Sequence, residues 1–289
     1  MLLALLLLAP VDTVQVRDIR LGPDETVRTT ILGAGRPVVF VPGIMSSAYA
    51  FRKVIPTLQE EGLQVVVIEP LGAGFSSRPE NADYSLTAQA DRIAKVMDTL
   101  GIRGAPLVGH ALGVSMVLRL ALRRPELVSH ILAMNGGPAE TAATSGVRRA
   151  VKFAFLIKLF GGQGLARQEV VKSLRKTAGD DTWITREVIE QYTAGPGGDL
   201  HAVLRAMKGM ARAREPDSLA PRLGEIALPV RLLIGGAPRG SGIPARQTAL
   251  LRERLPKLVV DTIPGAGLHI HEEQPGVVVR ALLDLISPD

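Results

Sequence analysis

The chain contains no cysteine, and this absence excludes several classes of protein at once. Disulfide frameworks, Cys-ligated zinc or iron–sulfur centres and thiol nucleophiles all need the missing side chain. Aromatic residues make up only 3% of the sequence and do not alternate with basic residues, so we expect no nucleic-acid partner. The net charge of +6 is small and spread along the chain, which is typical of a solvated surface.

A hydrophobic run of membrane-spanning length is also missing. The apolar N-terminus, residues 1–10 (MLLALLLLAP), is too short for a hydrocarbon core of about 30 Å. It resembles the apolar part of an export signal but lacks a positive n-region and an A-x-A cleavage site. We interpret residues 1–13 as an apolar leader or export-signal remnant, which favours an exported or membrane-associated protein over a cytoplasmic one. An extra apolar segment or a misplaced start codon is the alternative.

Short apolar runs that alternate with helical patterns fill most of the remaining chain. Strands are predicted at 14–21, 26–32, 37–41, 63–68, 105–108, 128–134, 230–234 and 258–263. Helices are predicted over about 50–61, 85–100, 244–254 and 276–286. A further helix is predicted from just after Gly109 to about Arg124. Apolar strands that are each followed by a helix indicate an α/β fold, with a doubly wound, mostly parallel sheet buried on both faces.

The stretch 137–225 follows a different pattern, mainly helical and basic. A structureless loop of about 90 residues is implausible in a compact domain, so we predict a helical cap inserted after strand six. The core then comprises 14–136 and 226–289.

Four motifs give the chain a specific resemblance. They are 41–45 (VPGIM), 69–76 (EPLGAGFS), 109–113 (GHALG) and 265–275 (GAGLHIHEEQP). Their order and spacing resemble those of the α/β-hydrolase family, over nearly the whole chain after residue 14. The resemblance implies an oxyanion loop at 41–45, a nucleophile elbow at 109–113, a catalytic-histidine loop at 265–275 and a cap. It implies no cofactor, and no glycine-rich nucleotide motif is present.

The catalytic positions implied by the resemblance are substituted. Ala111 occupies the nucleophile position at the elbow tip, and a methyl group cannot attack a carbonyl. Ser115, one helical turn later, is interpreted as an ordinary helix residue. Leu268 stands in the histidine position, and His269 follows one residue late. A shift of the loop would make His269 a candidate base, but an exposed loop histidine is the favoured interpretation.

The acid of the implied triad is missing as well. No Asp or Glu occurs between Ile234 and Leu251, and Arg239 lies in that interval. Asn135, after the sixth strand, could orient an imidazole but could not stabilise an imidazolium by charge. Three coincident losses favour a natural sequence without a triad over a single engineered change.

A ligand-binding framework remains. The resemblance assigns Gly43, Ile44, Met45, His110 and Leu112 to an oxyanion or ligand site, with backbone N–H groups of Ile44 and Leu112 facing a carbonyl. A loop that keeps this geometry and binds nothing is the alternative. The pocket-lining candidates are Asn135, Phe153 and Leu156.

Residues 147–160 (VRRAVKFAFLIKLF) combine phenylalanine with basic residues. Such a helix could touch a membrane surface, but lining an apolar pocket is favoured. His269, His271 and Glu272 form a loop cluster without an evident third anchor from elsewhere in the chain, so no metal is expected.

Together these observations predict a pseudo-hydrolase that binds a hydrophobic carbonyl- or ester-like molecule, as a carrier, a sensor, or a partner in a homodimer or with an active paralogue. An enzyme of hydrolase or lyase/cyclase type acting through His269 or a non-covalent mechanism is the alternative. Ester hydrolysis by an unorthodox route is a third hypothesis.

Overall fold

A computed structural model describes residues 14–144, 147–148, 151–152, 162–197, 199–238 and 243–287. An eight-stranded sheet forms its centre, in the order β1-β2-β4-β3-β5-β6-β7-β8. The strands are β1 Val14–Arg20, β2 Thr26–Leu32, β3 Arg36–Val41, β4 Leu63–Ile68, β5 Ala105–His110, β6 Val128–Met134, β7 Val230–Gly235 and β8 Leu258–Ile263. β1 and β2 pair antiparallel at one edge, and β3 to β8 are parallel.

Helices cover both faces of the sheet, as the apolar strands require. They are α1 Ile55–Glu60, α2 Leu86–Thr99, α3 Leu112–Arg123, α4 Gly162–Thr177, α5 Arg186–Gly197, α6 Leu200–Arg212, α7 Ala245–Arg254, α8 Ile270–Glu273 and α9 Pro275–Ile286. One buried cluster packs α2 and α3 against the sheet, and a second packs α1 and α9 against its other face. β5 is buried along its whole length. The predicted doubly wound, mostly parallel sheet is confirmed.

The predicted cap is confirmed as a helical insertion between β6 and β7, where α4, α5 and α6 lie. Part of it packs on the core through its own apolar cluster, whose buried members are Ala50, Leu174, Ala178, Trp183, Ile184, Val188 and Tyr192. The limits 137 and 225 stay a prediction. Among the described residues, no helix is both long and apolar enough to cross a membrane.

One predicted helix is wrong in detail. In place of a helix over about 50–61, a 3-10 turn spans Ala48–Phe51 and α1 begins separately at Ile55. Pro56 lies in the first turn of α1. Proline has no N–H to donate to the preceding turn, so it fits the start of a helix and not its interior.

Several predictions fall on residues outside the described ranges. They concern the leader 1–13, the candidate pocket residues Phe153 and Leu156, and Arg239.

Candidate functional site

The elbow is built by a sharp turn between β5 and α3. Ala111, between His110 and Leu112, has φ 52° and ψ −120°. Residues other than glycine rarely adopt this backbone conformation. A Cβ added at Gly113 would lie 2.3 Å from the carbonyl oxygen of Val41, so only glycine permits this close approach. The elbow therefore keeps its strained geometry while its tip carries only a methyl group.

The loop at 41–45 faces this tip. A Cβ built on Gly43 would lie 3.4 Å from the Ala111 Cβ and 3.8 Å from His110 Nδ1. Leu112 opens α3, and the first N–H groups of a helix have no intrahelical partner and lie at the positive end of its dipole. Ile44 is half-buried and Met45 is 43% exposed. This arrangement could accept a carbonyl oxygen between the two loops.

A small cavity of about 10 Å³ borders the oxyanion loop, which is room for about one water molecule. Its lining residues are Ile44, Met45, Gly72, Gly74, Arg78, Val203, Met207 and Met210. The last three come from α6 and were not predicted. Their spacing along one helical face was the available signal.

The loop that follows β8 departs from the sequence prediction in one respect. His269 is only 8% exposed, so the favoured interpretation of an exposed loop histidine is wrong. The cap covers it, because the rings of Trp183 and Tyr192 lie 5.4 and 6.3 Å from its ring centroid. Leu268 is half-buried, and its N–H donates to the Thr177 carbonyl at 2.8 Å.

Asn135 does not orient an imidazole and does not line the described cavity. Its side-chain amide donates to the carbonyls of Gly267 at 2.8 Å and Leu268 at 3.0 Å, and its oxygen accepts the Gly235 N–H at 2.9 Å. These three bonds use the polar groups of the amide. Asn135 instead fastens the histidine loop to the ends of β6 and β7, and its φ of 44° is one that asparagine tolerates.

Two other polar side chains that could replace triad members form hydrogen bonds with other groups. Ser115 is fully buried in α3, and its hydroxyl donates to the Ala139 carbonyl at 2.9 Å. The buried carboxylate of Glu272 accepts a hydrogen bond from the Tyr192 hydroxyl at 2.9 Å and pairs with Arg52. Glu272 therefore links cap and core.

Three histidines meet behind the elbow, which the sequence did not reveal. One ring nitrogen from each of His110, His269 and His271 lies within 4.8 Å of the other two. The expectation that His269 and His271 lack a third anchor is therefore wrong. His110 comes from the end of β5, far from the other two in sequence.

Burial sets the protonation of these rings. It lowers the pKa of His110 to about 4, and burial together with the neighbouring His110 lowers the pKa of His269 to about 3. The pKa of His271 also lies well below its usual value because of burial. All three imidazoles are therefore neutral at pH 7 and are weak bases.

Comparison with known proteins shows what this chain is similar to. A family model described as alpha/beta hydrolase fold matches residues 36–173. The uncharacterized hydrolase YugF of Bacillus subtilis strain 168 is 26% identical, over 86% of this chain and 89% of the relative. A 2-hydroxymuconate semialdehyde hydrolase of Pseudomonas sp. strain CF600 is 28% identical, over 82% of this chain and 79% of the relative.

Among solved structures, the epoxide hydrolase CorEH superposes with a TM-score of 0.74 at 20% identity, covering 94% of this chain and 98% of that one. At this level of identity the similarity concerns the fold.

Proposed function

The chain has the α/β-hydrolase fold, and from that premise we propose that it binds a small apolar carbonyl- or ester-like ligand at the elbow without serine hydrolysis. The observation that carries the proposal is Ala111. It occupies the strained tip of an otherwise complete elbow, facing the Gly43 loop.

The chemistry of the substitutions supports binding over serine catalysis. A triad that loses its members keeps only roughly 10³–10⁴-fold of rate over water, from the oxyanion hole and substrate binding. Here the nucleophile is absent, His269 is a weak base, and Asn135 is occupied with backbone groups. The elbow backbone and the loop at 41–45 remain, and these are the parts that would bind a ligand.

The cavity beside the oxyanion loop supports an apolar ligand. Met45, Met207 and Met210 line it, and flexible thioether side chains can adapt to different shapes. Arg78 is the one charged residue of this lining. A ligand larger than one water molecule requires these methionines to move. The resulting role is that of a carrier, a sensor, or a partner of an active relative, while membrane contact through residues 147–160 remains a prediction.

The alternative is an enzyme of hydrolase or lyase/cyclase type that uses His269 as a base. Its buried position against Trp183 favours this alternative over a solvent-facing histidine. Its pKa of about 3 counts against it, since a general base works best with a pKa near the operating pH.

Trp183, the only tryptophan of the chain, covers the histidine loop with its ring centroid 5.4 Å from that of His269, and its fluorescence serves as the reporter of binding. We expect a series of straight-chain methyl ketones to change its fluorescence with saturation. Gly43→Ala places a methyl between the two loops and should weaken binding at least about tenfold. Gly164→Ala, whose added Cβ meets nothing within 4 Å, is the matched control and should bind as the native chain does.

Activity assays complete the test. The native chain should not hydrolyse p-nitrophenyl esters above background, and the double variant Ala111→Ser, Leu268→His should gain turnover if the pocket accepts acyl groups. Ester turnover with a burst by the native chain would refute the proposal. An absence of ligand response in both the native and the double-variant chain would refute it as well.

A further inference from the structure

The cluster of His110, His269 and His271 has no role in the proposed ligand binding. All three side chains are buried, at 3%, 8% and 0% exposure. Their ring centroids lie 4.6 to 5.7 Å apart. Three imidazoles rarely share a buried volume unless hydrogen bonds or a metal compensate their polar atoms.

Most of those polar atoms have no compensation from the protein. Within the described residues, Nδ1 of His110, Nδ1 of His269 and both ring nitrogens of His271 are buried without a hydrogen-bond partner. Each unsatisfied buried polar group costs about 1–3 kcal/mol. A ligand that accepts nitrogen lone pairs would remove this cost at several atoms together.

The hydrogen bond of His110 fixes which of its nitrogens is free. Nε2 lies 3.1 Å from the Leu268 carbonyl oxygen, which can only accept, so Nε2 carries the proton. Nδ1 therefore keeps its lone pair and points toward Gly43. Metal-binding histidines commonly donate their second nitrogen to a backbone carbonyl in this way.

From this geometry we propose that His110, His269 and His271 form a binding site for a divalent transition metal, with zinc as the favoured ion. Three imidazoles without a carboxylate suit zinc, copper, nickel or iron, not magnesium or calcium. Three histidines with an open fourth position are a known zinc arrangement. The chain has no cysteine that could compete as a ligand.

The ligand atoms need only a modest adjustment to bind an ion. Zinc–nitrogen bonds of about 2.1 Å place tetrahedral ligands roughly 3.4 Å apart, whereas the three nitrogens lie within 4.8 Å of one another. Rotation of the side chains can close this difference.

The test uses the untagged full chain, stripped with a chelator and dialysed against zinc. We expect about one zinc per chain by elemental analysis, and a visible spectrum of four-coordinate cobalt when Co²⁺ replaces zinc. His269→Ala should weaken zinc binding at least about tenfold. His201→Ala, at an exposed histidine of α6, is the matched control and should bind zinc as the native chain does.

A measurement on the native chain covers the case in which His269→Ala does not fold. The chain has five histidines, and their imidazole signals can be followed by NMR during zinc titration. Signals of His110, His269 and His271 should shift, and those of His130 and His201 should not. Absence of stoichiometric zinc, equal affinity in a folded His269→Ala variant, or shifts confined to His130 and His201 would overturn the proposal.

Discussion

The elbow and the histidine loop lie at the same end of the sheet, yet they depart from the family pattern in different ways. At the elbow the backbone is retained and one side chain, Ala111, lacks the reactive atom. In the histidine loop the expected position holds Leu268, and imidazoles lie at other positions behind the site. Both backbones are held by tight packing, since an added Cβ at Gly113 or Gly267 would approach a carbonyl oxygen at 2.3 or 2.2 Å.

Packing therefore holds both backbones in place independently of any reactive side chain. The elbow is fixed by Val41, and the loop by Thr177 of the cap. Neither contact involves a catalytic group. The loop has a further anchor in Glu273, whose carboxylate accepts the N–H groups of Gly267 and Gly179, both at 2.9 Å.

The largest expected effect is a loss of stability on acidification, caused by the histidines shared between the two regions. Burial lowers their pKa values in the folded chain, to about 4 for His110 and about 3 for His269, from an unfolded value of 6.5. The unfolded chain therefore takes up protons first. Stability present above about pH 6.5 is lost as the pH falls toward the folded values, by about 2 kcal/mol per imidazole at pH 5.

Urea unfolding in a chelator between about pH 7.5 and 5 measures this effect, which sums to about 4 kcal/mol for His110 and His269. His269→Ala should reduce the stability lost between pH 7.5 and 5 by about 2 kcal/mol. The exposed His201→Ala should leave it unchanged. An unchanged slope in His269→Ala would show that this ring is not neutral in the folded chain.

The second effect compares the two tight backbone contacts. Gly113→Ala forces a methyl against the Val41 carbonyl and should lower the free energy of unfolding by about 3 kcal/mol. Gly267→Ala forces a methyl group against the Thr177 carbonyl and should release the cap. We expect increased proteolysis of 162–197 and a smaller decrease in the free energy of global unfolding than in Gly113→Ala. Gly164→Ala is the control for both. An equal decrease in the free energy of unfolding in both variants would show that the histidine loop and the core do not unfold separately.

The third effect concerns Asn135, which fastens the histidine loop to the ends of β6 and β7. Asn135→Ala removes three hydrogen bonds from buried backbone groups and should cost about 2 kcal/mol. Asn135→Gly removes the same bonds but accepts the positive φ without strain. The difference between these two variants in thermal unfolding combines the backbone strain with the extra conformational entropy that glycine loses on folding. A stability of Asn135→Gly equal to that of the native chain would argue that the bonds contribute nothing.

Asn135→Asp adds a pH signature to this anchor. A carboxylate facing the Gly267 and Leu268 carbonyls favours its protonated form, which raises its folded pKa. Relative to the native chain, this variant should therefore be most stable below the unfolded value of about 3.9 and lose that contribution as the pH rises through the folded pKa. Its stability relative to the native chain at each pH is the measurement.

The smallest expected effect is a gain in stability from a substitution at the elbow tip. Ala111→Gly relieves the strain of φ 52° and should stabilise the chain by about 1 kcal/mol. Ala121→Gly, in the interior of α3, has the opposite expectation and should destabilise by about 1 kcal/mol. Destabilisation by Ala111→Gly would show that the Ala111 methyl contributes packing that outweighs the strain.

The fold was largely predictable because its signals are local. The predicted strands 63–68 and 128–134 agree with β4 and β6 residue for residue, since buried parallel strands are continuous apolar runs. The predicted helix over 50–61 was wrong because Pro56 fits the first turn of a helix and not its interior.

The site was less predictable because its contacts span long stretches of sequence. His110 bonds to Leu268, 158 positions away, and Tyr192 bonds to Glu272, 80 positions away. No periodicity links such residues. The burial of His269 and the amide bonds of Asn135 depend on the same long-range packing.

The sequence by itself determined that no thiol exists, that the elbow tip is a methyl group and that a parallel sheet carries a helical insertion. These properties follow from residue identity and local hydrophobic pattern. Only the tertiary structure decided that His269 is covered by the cap and that three imidazoles meet behind Ala111. That outcome depends on how the ends of β5 and β8 and the cap pack together, because burial and the distances between side chains are set by contacts between distant segments.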